Sequence, residues 1–462
     1  MKSIFRHAFG LSLRRAAGLA GLFLGGLGSW AEADTFTVTT TADSGLGSLR
    51  AAMESANITA GPHEIRFTIS GGAPFTITPL SALERAVVID GTVQPGFAGT
   101  PVVVLDGSLA GSGASGLLIS AGGSTVRGLV IQRFSFAGLW LTAGSGHFVE
   151  GNYLGLSANG TQAPGNGSTA LLVGCGGNRI GGTTAGARNV ISGNGWSGVY
   201  LYNSSAANNV LEGNFVGTDA SGQAALGNRD RGIVILDSAG NRVGGTAAGA
   251  GNLISGNLQS GLALDGRTSG TLVQGNLLGT KADGVGALSN GYDGLEIRAA
   301  HHNVIGGTAP GAGNVLSGNA VSGLSILGST AIGNVVAGNL IGTQADGVGA
   351  LGNRQYGVLV YSAASNNAIG GLAAGAGNVI AHNCVASAAD FDGVRIHYTA
   401  GIVNRVSGNS IFANHGGLEI DVGTNGLTLN SLVNTNPYPN FPVLKCAPLR
   451  AGRAVIYGEV SA

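Results

Sequence analysis

Apolar and polar residues alternate along this chain in short bursts that predict β-strands. A Gly-apolar-x-apolar tetrad recurs as Gly198-Val-Tyr-Leu, Gly232-Ile-Val-Ile, Gly261-Leu-Ala-Leu, Gly294-Leu-Glu-Ile, Gly323-Leu-Ser-Ile, Gly357-Val-Leu-Val, Gly393-Val-Arg-Ile and Gly417-Leu-Glu-Ile. Period-two alternation broken each time by Gly or Asn is a strand signature, because a helix would bring its apolar residues back at every third and fourth position. In the middle of the chain the tetrads are spaced alternately about 34 and about 29 residues apart, so the larger unit is about 63 residues. Two phrases keep that beat: Asn178-Arg-Ile-Gly-Gly-Thr returns at Asn241, Asn303 and Asn367, and Asn152-Tyr-Leu-Gly returns at Asn214, Asn276 and Asn339. Self-similarity at a fixed period means one unit stacked along an axis.

Each interval holds two further strands, such as Val210 to Glu212 with Phe215-Val216, then Arg242-Val243 with Leu253-Ile254. Three short strands per turn predict an all-β solenoid, a parallel β-helix of about ten coils, each strand lying about 4.8 Å from its counterpart in the next coil. Inward residues then form aliphatic ladders such as Val199, Ile233, Leu262, Leu295, Leu324 and Val358. Asn152, Asn189, Asn214, Asn252, Asn276, Asn314, Asn339, Asn378 and Asn409 fall in one column, and Asn194, Asn228, Asn257, Asn290, Asn319, Asn353 and Asn383 in another. Asn tolerates tight corners, and stacked carboxamides bond to one another, so these columns are structural. Two loop rows explain the alternating spacing: Thr218 to Gly227, Thr280 to Ser289 and Thr343 to Gly352 in one, Thr246 to Gly251, Thr308 to Gly313 and Leu372 to Gly377 in the other.

The ends differ. Residues 1–33 read as a signal peptide, with Arg6, Arg14 and Arg15 before an apolar stretch and Ala31-Glu32-Ala33 as a small-x-small cleavage site. Export to the cell surface or medium follows, with no membrane span left after cleavage. Residues 34–90 form a cap segment in which Ser48 to Ile58 predicts an amphipathic helix, with Ser48 as N-cap and Leu49, Met53 and Ala56 on one side. The β-helix is placed at 91–426. Residues 427–462 are a C-terminal cap or the start of a truncated β-rich module, where Ala454 to Val460 offers a lone strand without a visible hairpin partner.

Formal net charge is zero and no basic block appears, which argues against nucleic acid as partner. Cys175, Cys384 and Cys446 are too scattered for a metal site or a disulfide framework. No metal site or cofactor is called for. Asp283-Gly and Asp346-Gly in the longer loops are turn chemistry, with calcium as the alternative reading.

Over roughly residues 90–426 the coil phrases resemble right-handed parallel β-helix proteins of the pectate-lyase-like superfamily. Gly47-Ser-Leu-Arg-Ala-Ala is similar to the CSLREA-type segment that precedes such repeats in some exported bacterial proteins, with Gly in place of Cys and Ala in place of Glu. The resemblance implies a secreted or surface β-helix, and the superfamily also holds polysaccharide lyases, glycoside hydrolases and epimerases. The Asn-Thr-Asp, Asp-Asp, Gly-His-Gly and Arg-Ile-Lys motifs of polygalacturonase-type members are absent; the nearest fragments are Gly146-His147-Phe148 and Arg395-Ile396-His397.

Candidate chemistry lies on the outward residues of the tetrad strands. One column reads Trp140, Leu172, Tyr200, Val234, Ala263, Glu296, Ser325, Leu359, Arg395 and Glu419; its neighbour holds Tyr202, Asp265, Arg298, Tyr361, His397 and Asp421. Cross-coil ion pairs are expected between Asp265 and Arg298, Arg395 and Glu419, and His397 and Asp421. Trp140, Tyr200, Tyr202, Tyr361, Arg395 and His397 are the candidate ligand-binding residues, for a polysaccharide or a host or cell-surface glycan. Asp265, Glu296 and Arg298, with His301 and His302 nearby, are the candidate acid/base set. Two readings stand: a non-catalytic exported rod for adhesion or display, and an enzyme acting on a uronate-type polysaccharide.

Overall fold

A computed structural model describes residues 34–59, 61, 63–78, 87–386 and 391–423, together with the backbone of four short strands between 443 and 459. The leader read in residues 1–33 lies outside the described residues, as does most of 427–462. The remainder stacks into three parallel sheets of thirteen, twelve and eleven strands, each strand bonded to its equivalents in the coils before and after. The chain is a right-handed parallel β-helix with three strands per coil.

Register follows the aliphatic ladders. Val199 pairs with Ile233, Ile233 with Leu262, Leu262 with Leu295, Leu295 with Leu324 and Leu324 with Val358. All six are buried, and each contributes about 1.5–3 kcal/mol by leaving water. Both asparagine columns stand as read. In the first, each side-chain amide donates to the carboxamide oxygen of the next coil at 2.8–3.1 Å from Asn152 to Asn409. The second spans 2.8–3.1 Å and runs beyond its expected ends, from Asn166 to Asn414. A third column was not anticipated. It includes Asn178–Asn209 at 2.8 Å and Asn303–Asn334, Asn334–Asn367 and Asn367–Asn404 at 2.9–3.0 Å. Thr271 interrupts it, offering only its backbone N–H to Asn303.

The stack begins earlier than the repeat phrase. Thr35–Val38, His63–Phe67 and Val87–Asp90 already belong to the thirteen-stranded sheet, although no Asn-Gly phrase marks them. The helix Leu49–Ile58 is capped by the Ser48 hydroxyl, which accepts from the Ala51 N–H, and buries Leu49, Ala52, Met53 and Ala56. Leu49, Ala52 and Met53 join the same continuous core as the coil ladders. Near the other end, Tyr457–Glu459 pairs antiparallel with Val443–Cys446, so the strand read as partnerless has a partner after all.

The loop rows stack too. Thr218, Thr280 and Thr343 each close a small antiparallel bridge, to Ala225, Ala287 and Ala350. Successive loops of the row touch: the N–H groups of Ala220, Ala282 and Ala345 donate to the carbonyls of Gly160, Gly222 and Gly284 at 2.9–3.0 Å. In the other row a methyl at Gly251 would overlap the Gly275 carbonyl oxygen, so glycine is what lets adjacent coils close there. Asp283 and Asp346 act as turn residues, each accepting from two backbone N–H groups at 2.8–3.3 Å. Those bonds hold both carboxyls below the usual carboxylate range. Cys175 and Cys384 are free and buried, and burial pushes the Cys384 thiol up to about 12, which disfavours its thiolate.

Candidate functional site

The eleven-stranded sheet carries the candidate residues, and alternation turns their side chains outward. Trp140, Leu172, Tyr200, Val234, Ala263, Glu296, Ser325, Leu359 and Arg395 are register neighbours in that order. The column then ends on Asp421, not Glu419, because Val394 pairs with Ile420. A slip of two residues preserves alternation, so Leu418, Ile420 and Val422 were equally good starts for the last strand. His397 consequently faces Gly423 rather than Asp421.

At the N-terminal half the strip is aromatic. The Trp140 indole donates to the Tyr202 hydroxyl at 3.2 Å across two coils. Gly174 makes that reach available, since a methyl there would come within 2.6 Å of the same hydroxyl oxygen. The Tyr200 and Tyr202 rings are 6.2 Å apart and within 12° of parallel, and Trp196 packs 4.9 Å from Tyr200 while 43% exposed. Trp196 was missed in the sequence because it precedes the tetrad.

The middle of the strip is charged. Arg298 does not pair with Asp265 as expected. Its Nη2 turns back along its own strand to Glu296, at 2.6 Å, and Arg231 Nη2 approaches the other Glu296 oxygen at 3.4 Å. Arg231 also lies 3.7 Å from Asp230. Asp265 Oδ1 is left buried with no hydrogen-bond partner among the described residues. Burial raises its proton affinity, against the pull of Arg231 and Arg298.

Beside Glu296 opens a cavity of about 370 Å³ whose lining includes Arg231, Tyr292, Asp293, Glu296, Arg298 and Tyr361. Asp293 accepts from the Ser322 N–H at 2.9 Å, and burial pushes its carboxyl up to about 6. Arg231 and Asp293 went unrecognised in the sequence, though a signal exists. The residue before each tetrad glycine reads Ser197, Arg231, Ser260, Asp293, Ser322, Tyr356 and Asp392, a polar column at the bend into the strand. His301 and His302 bring their Nδ1 atoms within 2.9 Å of each other and do not line this cavity.

The C-terminal cluster is of another kind. Arg395 is 3% exposed and bonds to Asp421 and, at 3.1 Å, to Asp392, both 1% exposed. This is a buried ion triad on the outward column of the last described coils. His397 Nδ1 meets the Thr399 hydroxyl at 2.8 Å, and its ring packs 4.2 Å from Tyr398.

No protein-family model matches the chain, and no curated protein matches it in sequence. Solved structures align along the coils at low identity. The Dettilon tailspike protein shares 15% identity over 81% of this chain and 64% of its own length, with a TM-score of 0.45. The periplasmic alginate epimerase AlgG shares 11% over 79% and 77%, at 0.36. The PfbA surface adhesin of Streptococcus pneumoniae shares 11% over 91% and 99%, at 0.30. The chain therefore spans just under two thirds of the tailspike. Its class rests on its own strand order: three parallel sheets stacked coil on coil make it a parallel β-helix.

Proposed function

We propose that this protein is an exported β-helix that binds a glycan along its eleven-stranded sheet without transforming it. The observation that carries the reading is the aromatic strip, in which Trp140, Tyr200 and Tyr202 are locked together and Trp196 is half open to solvent, on the same sheet as a polar cavity three coils further along. Sugar rings present an apolar C–H surface to aromatic rings and hydroxyls to polar side chains, which is the pairing this strip offers. Among the described residues no helix is long and apolar enough to cross a membrane, in keeping with a secreted or surface-displayed rod. Replacing Trp196 or Tyr200 by Ala should weaken binding to the best member of a polysaccharide panel by about tenfold, or about 1.4 kcal/mol, with unchanged melting. Wild-type affinity in both variants would overturn the reading.

One observation favours a second reading, a lyase, hydrolase or epimerase. Asp293 is pushed up to about 6, while Glu296 in the same cavity is bracketed by two guanidiniums. Carboxyls in such different settings can divide acid and base roles. Reducing ends or unsaturated products, lost on Asp293→Asn or Glu296→Gln, would establish catalysis; a silent panel with retained binding leaves the first reading.

A further inference from the structure

The charges around the cavity narrow the glycan class, an inference that rests on the glycan-binding reading. Four carboxyl groups, Asp230, Asp265, Asp293 and Glu296, share this stretch of the strip with two guanidiniums, Arg231 and Arg298. The whole chain has zero formal net charge, so the excess is local. Both guanidiniums are already engaged, Arg298 with Glu296 and Arg231 with Glu296 and Asp230. Their positive charge is thus already offset by carboxylates of this chain, and the balance of the stretch is negative.

The polar groups left over are acceptors as much as donors. Among the described residues, Asp265 Oδ1 is buried without a hydrogen-bond partner, as is Nε of Arg231, a residue that lines the cavity. A carboxylate ligand can only accept, and it would add a like charge beside Asp265 and Glu296. A hydroxyl donates and accepts, and an ammonium group donates three times and carries the opposite charge. Neighbouring rings reinforce the preference: Tyr292 and Tyr361 line the cavity, and aromatic faces attract cations. From Tyr200 to Glu296 the register advances three coils, about 14 Å at the usual strand spacing. Only an oligomer of several sugars spans both the aromatic and the charged parts.

We propose that the strip from Trp196 to Tyr361 takes an amino-sugar chain bearing free amines, accepts its neutral N-acetylated counterpart more weakly, and rejects polyuronates. The alternative uronate substrate raised by the sequence is thereby disfavoured on charge.

Calorimetric titration of the full chain with glucosamine, N-acetylglucosamine and galacturonate oligomers of equal length tests this. The glucosamine oligomer should bind about tenfold more tightly than the N-acetylated one, and added salt should shrink that advantage. The galacturonate oligomer should not bind measurably. Asp265→Asn should narrow the gap between amine and N-acetyl oligomers. Galacturonate binding as tight as either amino sugar would overturn the charge preference while leaving the glycan-binding reading intact. Failure of all three oligomers, together with a silent wider panel, would instead overturn the glycan-binding reading itself.

Discussion

Asn276→Asp should destabilise the rod by about 4 kcal/mol, more than Asn276→Ala at about 3 kcal/mol. The amide of Asn276 donates to Val243 O at 2.9 Å, Gln274 O at 3.0 Å and Asn314 Oδ1 at 2.9 Å. Its oxygen accepts from the backbone and side-chain nitrogens of Asn252 at 3.0 and 2.9 Å. Aspartate preserves the shape and the acceptor, yet it sets a carboxylate oxygen against three oxygens in a site with no solvent exposure. Alanine merely leaves those groups unpaired. Since the buried site favours the protonated acid, the folded-state pKa of the new side chain is raised. The penalty should therefore shrink as pH falls through that pKa and be full at neutral pH. Denaturant unfolding across pH checks both the order and the sign. An aspartate variant within 1 kcal/mol of the parent, by this order-of-magnitude scale, would mean that the carboxamide columns are not what holds the corners.

The second large effect belongs to Arg395. Arg395→Met should cost about 3–5 kcal/mol, because it removes the guanidinium that Asp392 and Asp421 share in a water-poor site. In a stacked repeat the damage stays near its origin. Amide exchange should accelerate in Val394–His397 and Ile420–Gly423 while Val199–Tyr202 keeps its protection. Burial already raises the Asp392 carboxyl, so acidification that protonates this pair should restore part of the loss. A variant that keeps full protection but loses glycan affinity would instead make Arg395 a ligand contact.

What the sequence made legible was whatever repeats with the coil. Val199 through Val358, and Asn152 through Asn409, could be placed in columns because inward packing and corner geometry recur in every turn. Less legible was whatever depends on side-chain direction. Alternation put Asp265 and Arg298 on the same outward column, but it cannot say that a long guanidinium folds back two residues along its own strand. Nor can it separate Leu418 from Ile420 as the start of the last strand, since both satisfy the same parity. The third asparagine column escaped for a different reason. A Gly-Gly pair preceded by Ile or Val follows Asn178, Asn241, Asn303 and Asn367 on alternate coils, leaving Asn209, Asn334 and Asn404 between them without that flag. Asp293 and Arg231 sit at bends, where no strand pattern looks for chemistry.

The contacts between loops two coils apart, Ala220 on Gly160, Ala282 on Gly222 and Ala345 on Gly284, make the pair of coils a cassette. Removing one coil would bring a long loop against a short one and leave both donors and carbonyls of that row mismatched. Removing two consecutive coils instead restores like against like. The length of the molecule can thus be changed without loss only in even steps, so its outward face would grow or shrink by whole cassettes of two coils.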